Sequence, residues 1–168
     1  MEMNTTKNKT VIAILFGGCS TEYEVSLQSA YSVITHLNQE KYEAHLIGIT
    51  REGTWLCYEG DIDRIPADTW ASADCLPAML SPNRTDHGLL IARTGGLELI
   101  RLDAVFPVLH GKNGEDGTVQ GLCELAGLPV AGCGMKASVL GMDKHLAHTL
   151  VSLDGIEVPN SVLFRRMP

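Results

Sequence analysis

Long apolar runs and clusters of positive charge are both missing from this sequence. No apolar stretch approaches the ~18 residues that a membrane-spanning helix needs. The polar N-terminus MEMNTTKNKT also lacks the apolar core of a secretory signal peptide. The net charge is −7, and no lysine/arginine cluster exceeds the pair Arg165-Arg166. We therefore expect no membrane-spanning segment, no signal peptide, and no nucleic-acid or membrane partner.

Paired cysteine motifs are missing too. The five cysteines are odd in number and scattered, and no two form C-x-x-C. This pattern argues against both a disulfide framework and a cysteine-based zinc site. Reduced thiols in a cytoplasmic protein are the simplest interpretation.

The usual nucleotide-binding fingerprints are absent as well. The run TVIAILF (10–16) leads into Gly17-Gly18 and an amphipathic pattern, which is the outline of a strand, a glycine turn and a helix. The turn reads GGCSTE, which does not match G-x-G-x-x-G, and no G-x-x-x-x-G-K-[ST] occurs. This turn is therefore a poor cradle for a dinucleotide or a triphosphate.

The elements that are present indicate an α/β fold, and 168 residues suit one domain with the start of a second. Hydrophobic residues (45%) and charged residues (20%) lie in the range of ordinary globular proteins. The strand–helix–strand order predicts a Rossmann-like, three-layer domain with a mostly parallel sheet and a small antiparallel insertion. The predicted strands are 10–16, 43–50, 102–110, 128–132 and 161–166, with short β pieces at 55–58, 89–91 and 97–100. The predicted helices are 21–38, 118–127 and 135–155.

Three local signals refine this outline. Pro107 lacks a backbone N–H, so the strand that contains it should lie at a sheet edge or end there. The segment 59–77 is predicted to be an irregular loop or a short helix, and the helix 135–155 should break near Gly141 to Asp143. A strand that begins at 161 has no later element in this sequence to pack against. We therefore expect that a second domain starts shortly before it, with the boundary near Met142. We expect a disordered N-terminus (1–9), a substrate-binding domain (10–142) and the truncated start of a further domain (143–168).

Two carboxylates at the first turn need an explanation. Thr21-x-x-Glu24 matches the capping box, which would give Glu24 a structural role. Glu22 is not needed for that cap, and it lies where open α/β sheets bind ligands. An ionised Glu22 would repel phosphate and attract a cation such as an ammonium group. The alternative is that Glu22 only complements the helix dipole and faces water.

The densest motif is HGKNGEDGTVQG (110–121). His110 ends a buried strand, and glycines at 111, 114 and 117 make the following loop tightly folded or mobile. Glu115 and Asp116 lie at the start of the next helix. If the two strands are parallel neighbours, His110 and Glu22 emerge at one sheet edge and could hold the two ends of a small zwitterion. The alternative is a histidine that only bonds a loop carbonyl.

A third candidate is Met142-Asp143-Lys144. Asp143 is predicted to cap a helix that begins at Lys144, and the lysine could reach a phosphate. A solvated lysine is the alternative on position alone. The remaining histidines show no ligand pattern, and the sequence suggests no metal-binding residues.

Four segments together resemble the N-terminal region of the D-alanine–D-alanine ligase family of the ATP-grasp superfamily. They are FGGCSTEYEVSLQSA, FPVLHGKNGEDGTVQG, ELAGLPVAGCG and GMDKHLAH. The resemblance runs from about 11 to 164, and in look it is nearest to the D-alanine–D-serine ligases of the glycopeptide-resistance type.

The resemblance implies a reaction and roles for several residues. In this family ATP and Mg²⁺ phosphorylate the carboxylate of a first D-alanine, and the amine of a second D-amino acid attacks the acyl phosphate to give the peptidoglycan dipeptide. Glu22 matches the glutamate that holds the first ammonium, His110 a histidine of the same subsite, and Val25 a residue near the substrate. Lys144 matches a lysine that contacts ATP phosphates. The resemblance also implies a homodimer that contacts through this lobe.

The sequence departs from the family in length, because the central and C-terminal lobes that bind metal and most of the ATP have no counterpart here. We therefore expect no ligase activity from this chain alone, and the second substrate, D-alanine or D-serine, stays undecided. Two other functions stay open on the residues alone. They are a stand-alone Rossmann-like binding module and a domain of a nucleotide-cofactor oxidoreductase, although the missing fingerprint argues against the second.

Overall fold

A seven-stranded mixed sheet forms the centre of the molecule. The computed structural model describes residues 9–72 and 74–164, so the disordered N-terminus predicted for 1–9 falls, except for residue 9, outside them. The strands are β1 (Thr10–Gly17), β2 (Tyr42–Ile49), β3 (Trp55–Tyr58), β4 (Cys75–Leu80), β5 (Gly88–Arg93), β6 (Gly96–Arg101) and β7 (Ala104–Pro107). The helices are α1 (Tyr23–His36), α2 (Thr118–Ala126), α3 (Met135–Met142) and α4 (Lys144–Leu153). None of the described helices is long and apolar enough to cross a membrane.

The sheet has a parallel part and an antiparallel part. Its order is β6-β5-β4-β3-β2-β1-β7, and β1 pairs in parallel with both β2 and β7. The strands from β2 to β6 pair in antiparallel fashion, each with its neighbour along the chain. This arrangement confirms the predicted α/β class with an antiparallel insertion. The insertion is larger than expected, because four of the six strand pairs in the described sheet are antiparallel. Pro107 is the last residue of an edge strand, as its missing N–H requires.

A hydrophobic cluster lies on each face of the sheet, between the strands and a helix. One face packs against α1 through Tyr23, Leu27 and Ala30. The other face packs against α2 through Val119, Cys123 and Ala126. Alternate residues of β1 therefore serve different clusters, as the period-two geometry of a fully buried strand requires.

Several predicted elements differ from the structure. β4 was missed, because its first residues lie in the segment expected to be irregular, where two short 3₁₀ helices occur (Ile62–Arg64 and Trp70–Ser72). The strand predicted over 128–132 is reduced to one bridge between Val105 and Val130. No strand is present at 161–164, and the rest of that predicted strand, Arg165-Arg166, lies outside the described residues.

The helical predictions are closer to the structure. α2 ends at Gly127, which adopts the left-handed conformation (φ 74°) that a glycine C-cap provides. The expected break near Gly141 to Asp143 separates α3 from α4. Asp143 caps α4 as predicted, since its Oδ1 accepts a hydrogen bond from the Leu146 N–H at 2.9 Å.

Candidate functional site

The candidate site lies at the carboxyl ends of β1 and β7. The two strands are parallel neighbours in register, with Leu15 opposite Pro107. The Val108 N–H extends this pairing by donating to the Leu15 carbonyl at 2.8 Å. The turn after β1 and the loop after β7 therefore leave the sheet at the same edge, which confirms the juxtaposition expected from the sequence.

A buried hydroxyl joins the two strand ends to helix α1. Ser26 Oγ accepts from the Gly17 N–H at 2.8 Å and donates to the Val108 carbonyl at 2.5 Å. Ser26 is 0% exposed, so both backbone groups depend on this side chain rather than on water. The residue fixes the start of α1 relative to both strands, and the sequence analysis did not identify it.

The predicted capping box does not form. Helix α1 begins at Tyr23 with Glu22 as its N-cap, and no side chain closes the cap. The Ser20 hydroxyl accepts from the Glu22 N–H at 3.1 Å. Glu24 instead pairs with the Arg51 guanidinium at 3.1 Å, so a long-range partner replaces the local one assumed from the spacing.

Arg51 pairs with both Glu24 and Asp68 near the start of α1. Its guanidinium also contacts Asp68 at 3.1 Å and lies 4.0 Å from the centre of the Tyr23 ring. The Tyr23 hydroxyl donates to Asp68 Oδ1 at 3.1 Å, and burial is the main reason that its pKa is raised to about 12. Glu24 and Asp68 are thus matched by a cation, whereas Glu22 has no ion-pair partner among the described residues.

The Glu22 carboxylate lies against the loop that follows β7. A Cβ atom placed on Gly111 would be 2.7 Å from Glu22 Oε1 and 2.8 Å from Ser20 Oγ. Gly111 also has φ +68°, a conformation that side chains other than glycine rarely adopt. Glycine is therefore required at 111 both for the turn and for the close approach of Glu22.

The loop 110–117 is fastened by its own polar groups. Glu115 Oε2 accepts from the Gly111 N–H at 2.7 Å. Asp116 accepts from the N–H groups of Asn113 (2.9 Å) and Thr118 (3.1 Å). Partial burial raises the pKa of Asp116, but these hydrogen bonds outweigh it and lower the pKa below its usual value. The loop is therefore tightly folded, one of the two states expected from its glycines.

The fold brings Glu22, His110 and Glu115 together. One ligand atom from each lies within 4.8 Å of the other two. His110 Nε2 is 3.1 Å from Ser29 Oγ on α1, so the ring is anchored to the helix rather than to a loop carbonyl. The sequence analysis named Glu22 and His110 but did not assign Glu115 to the site. The tight turn over 111–115, in which the Gly114 and Glu115 N–H groups donate to the Gly111 carbonyl, places Glu115 beside His110.

Two carboxylates beside an imidazole favour a cationic group at this position. Opposite charges within about 4 to 6 Å stabilise one another, whereas two unmatched carboxylates repel. A primary ammonium supplies three donors, which three acceptors at this spacing can receive. The geometry thus suits the amino end of a small zwitterion and does not suit a phosphate.

A cavity of about 500 Å³ adjoins this cluster, and His110 and Glu115 are among its lining residues. Gln120 lines it as well, with its Nε2 donating to the Gly114 carbonyl at 2.8 Å. Gln120 is 7% exposed and therefore anchors the loop from the buried side of α2. Met142, two residues before Lys144, also lines the cavity.

The other two predicted site residues have different positions. Val25 lies one turn after Glu22 on α1 and is 50% exposed, so its methyl groups are accessible to a ligand. Lys144 is exposed at the start of α4 and belongs neither to the three-residue cluster nor to the cavity lining. The structure thus brings Glu22 and His110 together, and Lys144 lies two residues after the cavity-lining Met142.

The comparisons with known proteins identify the family of this chain. The family described as "D-ala D-ala ligase N-terminus" matches residues 11–133. This match spans most of the chain, so the protein belongs to the family of D-alanine–D-alanine ligase N-terminal domains.

The relatives are ligases and resistance proteins. The chain is 48% identical over 153 residues to the vancomycin B-type resistance protein VanB of Enterococcus faecalis, covering 90% of this chain and 43% of that protein. It is 48% identical over 149 residues to a D-alanine–D-alanine ligase of Caldicellulosiruptor bescii, covering 88% and 40%. The crystal structure of the VanG D-Ala:D-Ser ligase from Enterococcus faecalis superposes with a TM-score of 0.87 at 51% identity, covering 95% and 46%. The chain therefore spans less than half the length of these relatives.

Proposed function

We propose that this chain is the amino-acid-binding lobe of an ATP-dependent D-alanine–D-amino-acid ligase that makes the peptidoglycan dipeptide. The convergence of Glu22, His110 and Glu115 within 4.8 Å at the sheet edge is the observation that carries the proposal. Family membership supports it and disfavours a stand-alone binding module.

Each cluster residue has a role in this proposal. Glu22 receives the ammonium of the first D-alanine, because among the described residues its carboxylate is the one at the start of α1 without a matching cation. His110 faces the same amino acid, and its ring is held by Ser29. Glu115 adds negative charge on the ammonium side while it is fixed by the Gly111 N–H. The exposed methyl groups of Val25 form the apolar contact for the substrate.

Lys144 is the residue of this chain that would contact ATP. Its ammonium is exposed at the start of a helix, so it can reach a phosphate oxygen. ATP supplies the phosphoryl group that activates the substrate carboxylate. Mg²⁺ prefers an all-oxygen octahedral set, which the cluster with its imidazole does not provide. We therefore assign no Mg²⁺ ligand to the described residues.

The remaining assignments follow from the same proposal. Residues 10–142 form the amino-acid-binding domain, and 143–168 begin the next domain; α4 buries none of its residues, which supports that division. The second substrate is a D-amino acid, D-alanine or D-serine. We further propose a homodimer that contacts through this lobe and a cytoplasmic site of action, where ATP is available.

An NMR titration of the ¹⁵N-labelled chain with D-alanine tests the proposal. Amides of the segments 17–25 and 108–116 should shift with D-alanine more than with L-alanine, and NAD should shift neither segment. Glu22→Gln keeps the shape of the side chain but removes its charge, so it should weaken D-alanine binding at least ~10-fold, a loss of about 1.4 kcal/mol.

Glu24→Gln is the matched control, because Glu24 lies two positions away but its carboxylate is turned to Arg51. This variant should bind D-alanine as the unmodified chain does. Equal shifts with both enantiomers, or equal losses from the two substitutions, would refute the assignment of Glu22. A NAD-induced shift at the Gly17 turn would instead restore the nucleotide-cofactor function.

A further inference from the structure

We propose that Glu22, His110 and Glu115 also form a binding site for a divalent transition metal, and that Zn²⁺ is the metal ion that fits it best. Among the described residues, these three side chains form the group of potential metal ligands whose donor atoms all lie within 4.8 Å of one another. This site is separate from any Mg²⁺ that accompanies ATP. Competition of the metal with D-alanine rests on the proposed function, whereas metal binding itself does not.

The donor set and its spacing match a three-ligand zinc site. Zn²⁺ binds imidazole nitrogen at about 2.0–2.1 Å and carboxylate oxygen at about 2.0–2.2 Å, so tetrahedral ligand atoms lie about 3.4 Å apart. The three donors, within 4.8 Å, need to close by about 1 Å or somewhat more to meet this spacing. Glu22 is exposed and carries no hydrogen bond on its carboxylate among the described residues, so its rotation supplies that movement.

Two of the three ligands are already oriented by other groups. Glu115 is held through Oε2 by the Gly111 N–H at 2.7 Å, which leaves Oε1 available. His110 Nε2 contacts Ser29 Oγ at 3.1 Å, so the metal would bind at the other ring nitrogen, Nδ1. A hydrogen bond from the second ring nitrogen to a neighbouring group is the arrangement that fixes metal-binding histidines. These supports lower the ordering cost of metal binding, because two of the three side chains are already held.

The imidazole determines which metal is selected. Nitrogen ligands favour Zn²⁺, Co²⁺ and Ni²⁺, whereas Mg²⁺ and Ca²⁺ prefer oxygen. Three protein ligands leave a fourth position open to water. Because a bound metal and an ammonium would use the same two carboxylates, Zn²⁺ occupancy should exclude D-alanine and thereby inhibit the proposed reaction.

Co²⁺ absorption and Zn²⁺ calorimetry on the 168-residue chain, both in excess Mg²⁺, test this site. We expect one Co²⁺ per chain without the near-ultraviolet thiolate band, because the ligands are nitrogen and oxygen. His110→Asn and Glu115→Gln should each weaken Zn²⁺ binding at least ~10-fold, and Ser29→Ala about 10-fold. Glu24→Gln should leave the affinity within about twofold, since its carboxylate pairs with Arg51.

Several results would overturn the site. Unchanged affinity in both His110→Asn and Glu115→Gln would place the metal elsewhere, as would a thiolate band, since Cys133 is exposed and able to bind zinc. If His110→Asn fails to fold by circular dichroism, Glu115→Gln and Glu22→Gln decide the question. D-alanine should raise the apparent Zn²⁺ dissociation constant more than L-alanine, which chelates free zinc equally. If the triad binds Zn²⁺ but the enantiomers compete equally, the metal site stands and the D-alanine assignment fails.

Discussion

Replacing Ser26 by alanine should destabilise the protein more than any other serine-to-alanine change in helix α1. The Ser26 hydroxyl is fully buried and bonds the Gly17 N–H (2.8 Å) and the Val108 carbonyl (2.5 Å). Alanine fits the space but leaves both backbone groups without a partner. An orphaned buried polar group costs about 1–3 kcal/mol, so the two together should cost about 2–6 kcal/mol.

Urea denaturation followed by circular dichroism measures this loss. With a slope of about 2 kcal/mol per M, the midpoint should fall by about 1–3 M with the slope unchanged. Ser32→Ala is the matched control, because Ser32 is exposed on the same helix. The control should be neutral or slightly stabilising, since alanine has the higher helix propensity. A midpoint difference between the two variants below about 0.3 M would show that water replaces the hydroxyl and would refute the reasoning.

Two further predictions concern ionisation. Burial raises the pKa of Tyr23 to about 12, against 10.0 in the unfolded chain, so its contribution to stability is full below pH 10 and is lost as the pH rises toward about 12. Tyr23→Phe should therefore show a smaller fall of the urea midpoint at alkaline pH than the unmodified protein. An equal fall in both proteins would contradict the assignment. Thiol labelling at pH 8 should modify the exposed Cys133 first, whereas Cys57 and Cys123 should react only on unfolding, because burial raises the pKa of each thiol to about 11. Fast labelling of either buried thiol in the folded chain would count against this packing.

The local patterns in the sequence were sufficient for most of the fold. The apolar run 10–16 could only be a buried strand, Gly127 stopped a helix, and Asp143 began one. Each of these signals acts within a few residues, so no knowledge of distant neighbours was needed. The prediction of the capping box was wrong, because a distant neighbour decided the outcome there. Glu24 fits a capping box by spacing, but Arg51 on the β2–β3 turn holds its carboxylate.

The same division applies to the candidate site. The sequence determined that carboxylates lie at the first turn and that a histidine lies close after the strand that became β7. It also indicated that a phosphate would be repelled there, because these points follow from residue type and the ends of strands. Only the tertiary structure decided that Glu115 joins them and that Ser26 ties both strand ends to α1. Glu115 is placed by a turn that requires positive φ at Gly111, and Ser26 by two backbone groups that lie 9 and 82 residues away. Such contacts form only when the strands pair, so they cannot be predicted from the spacing of residues along the chain.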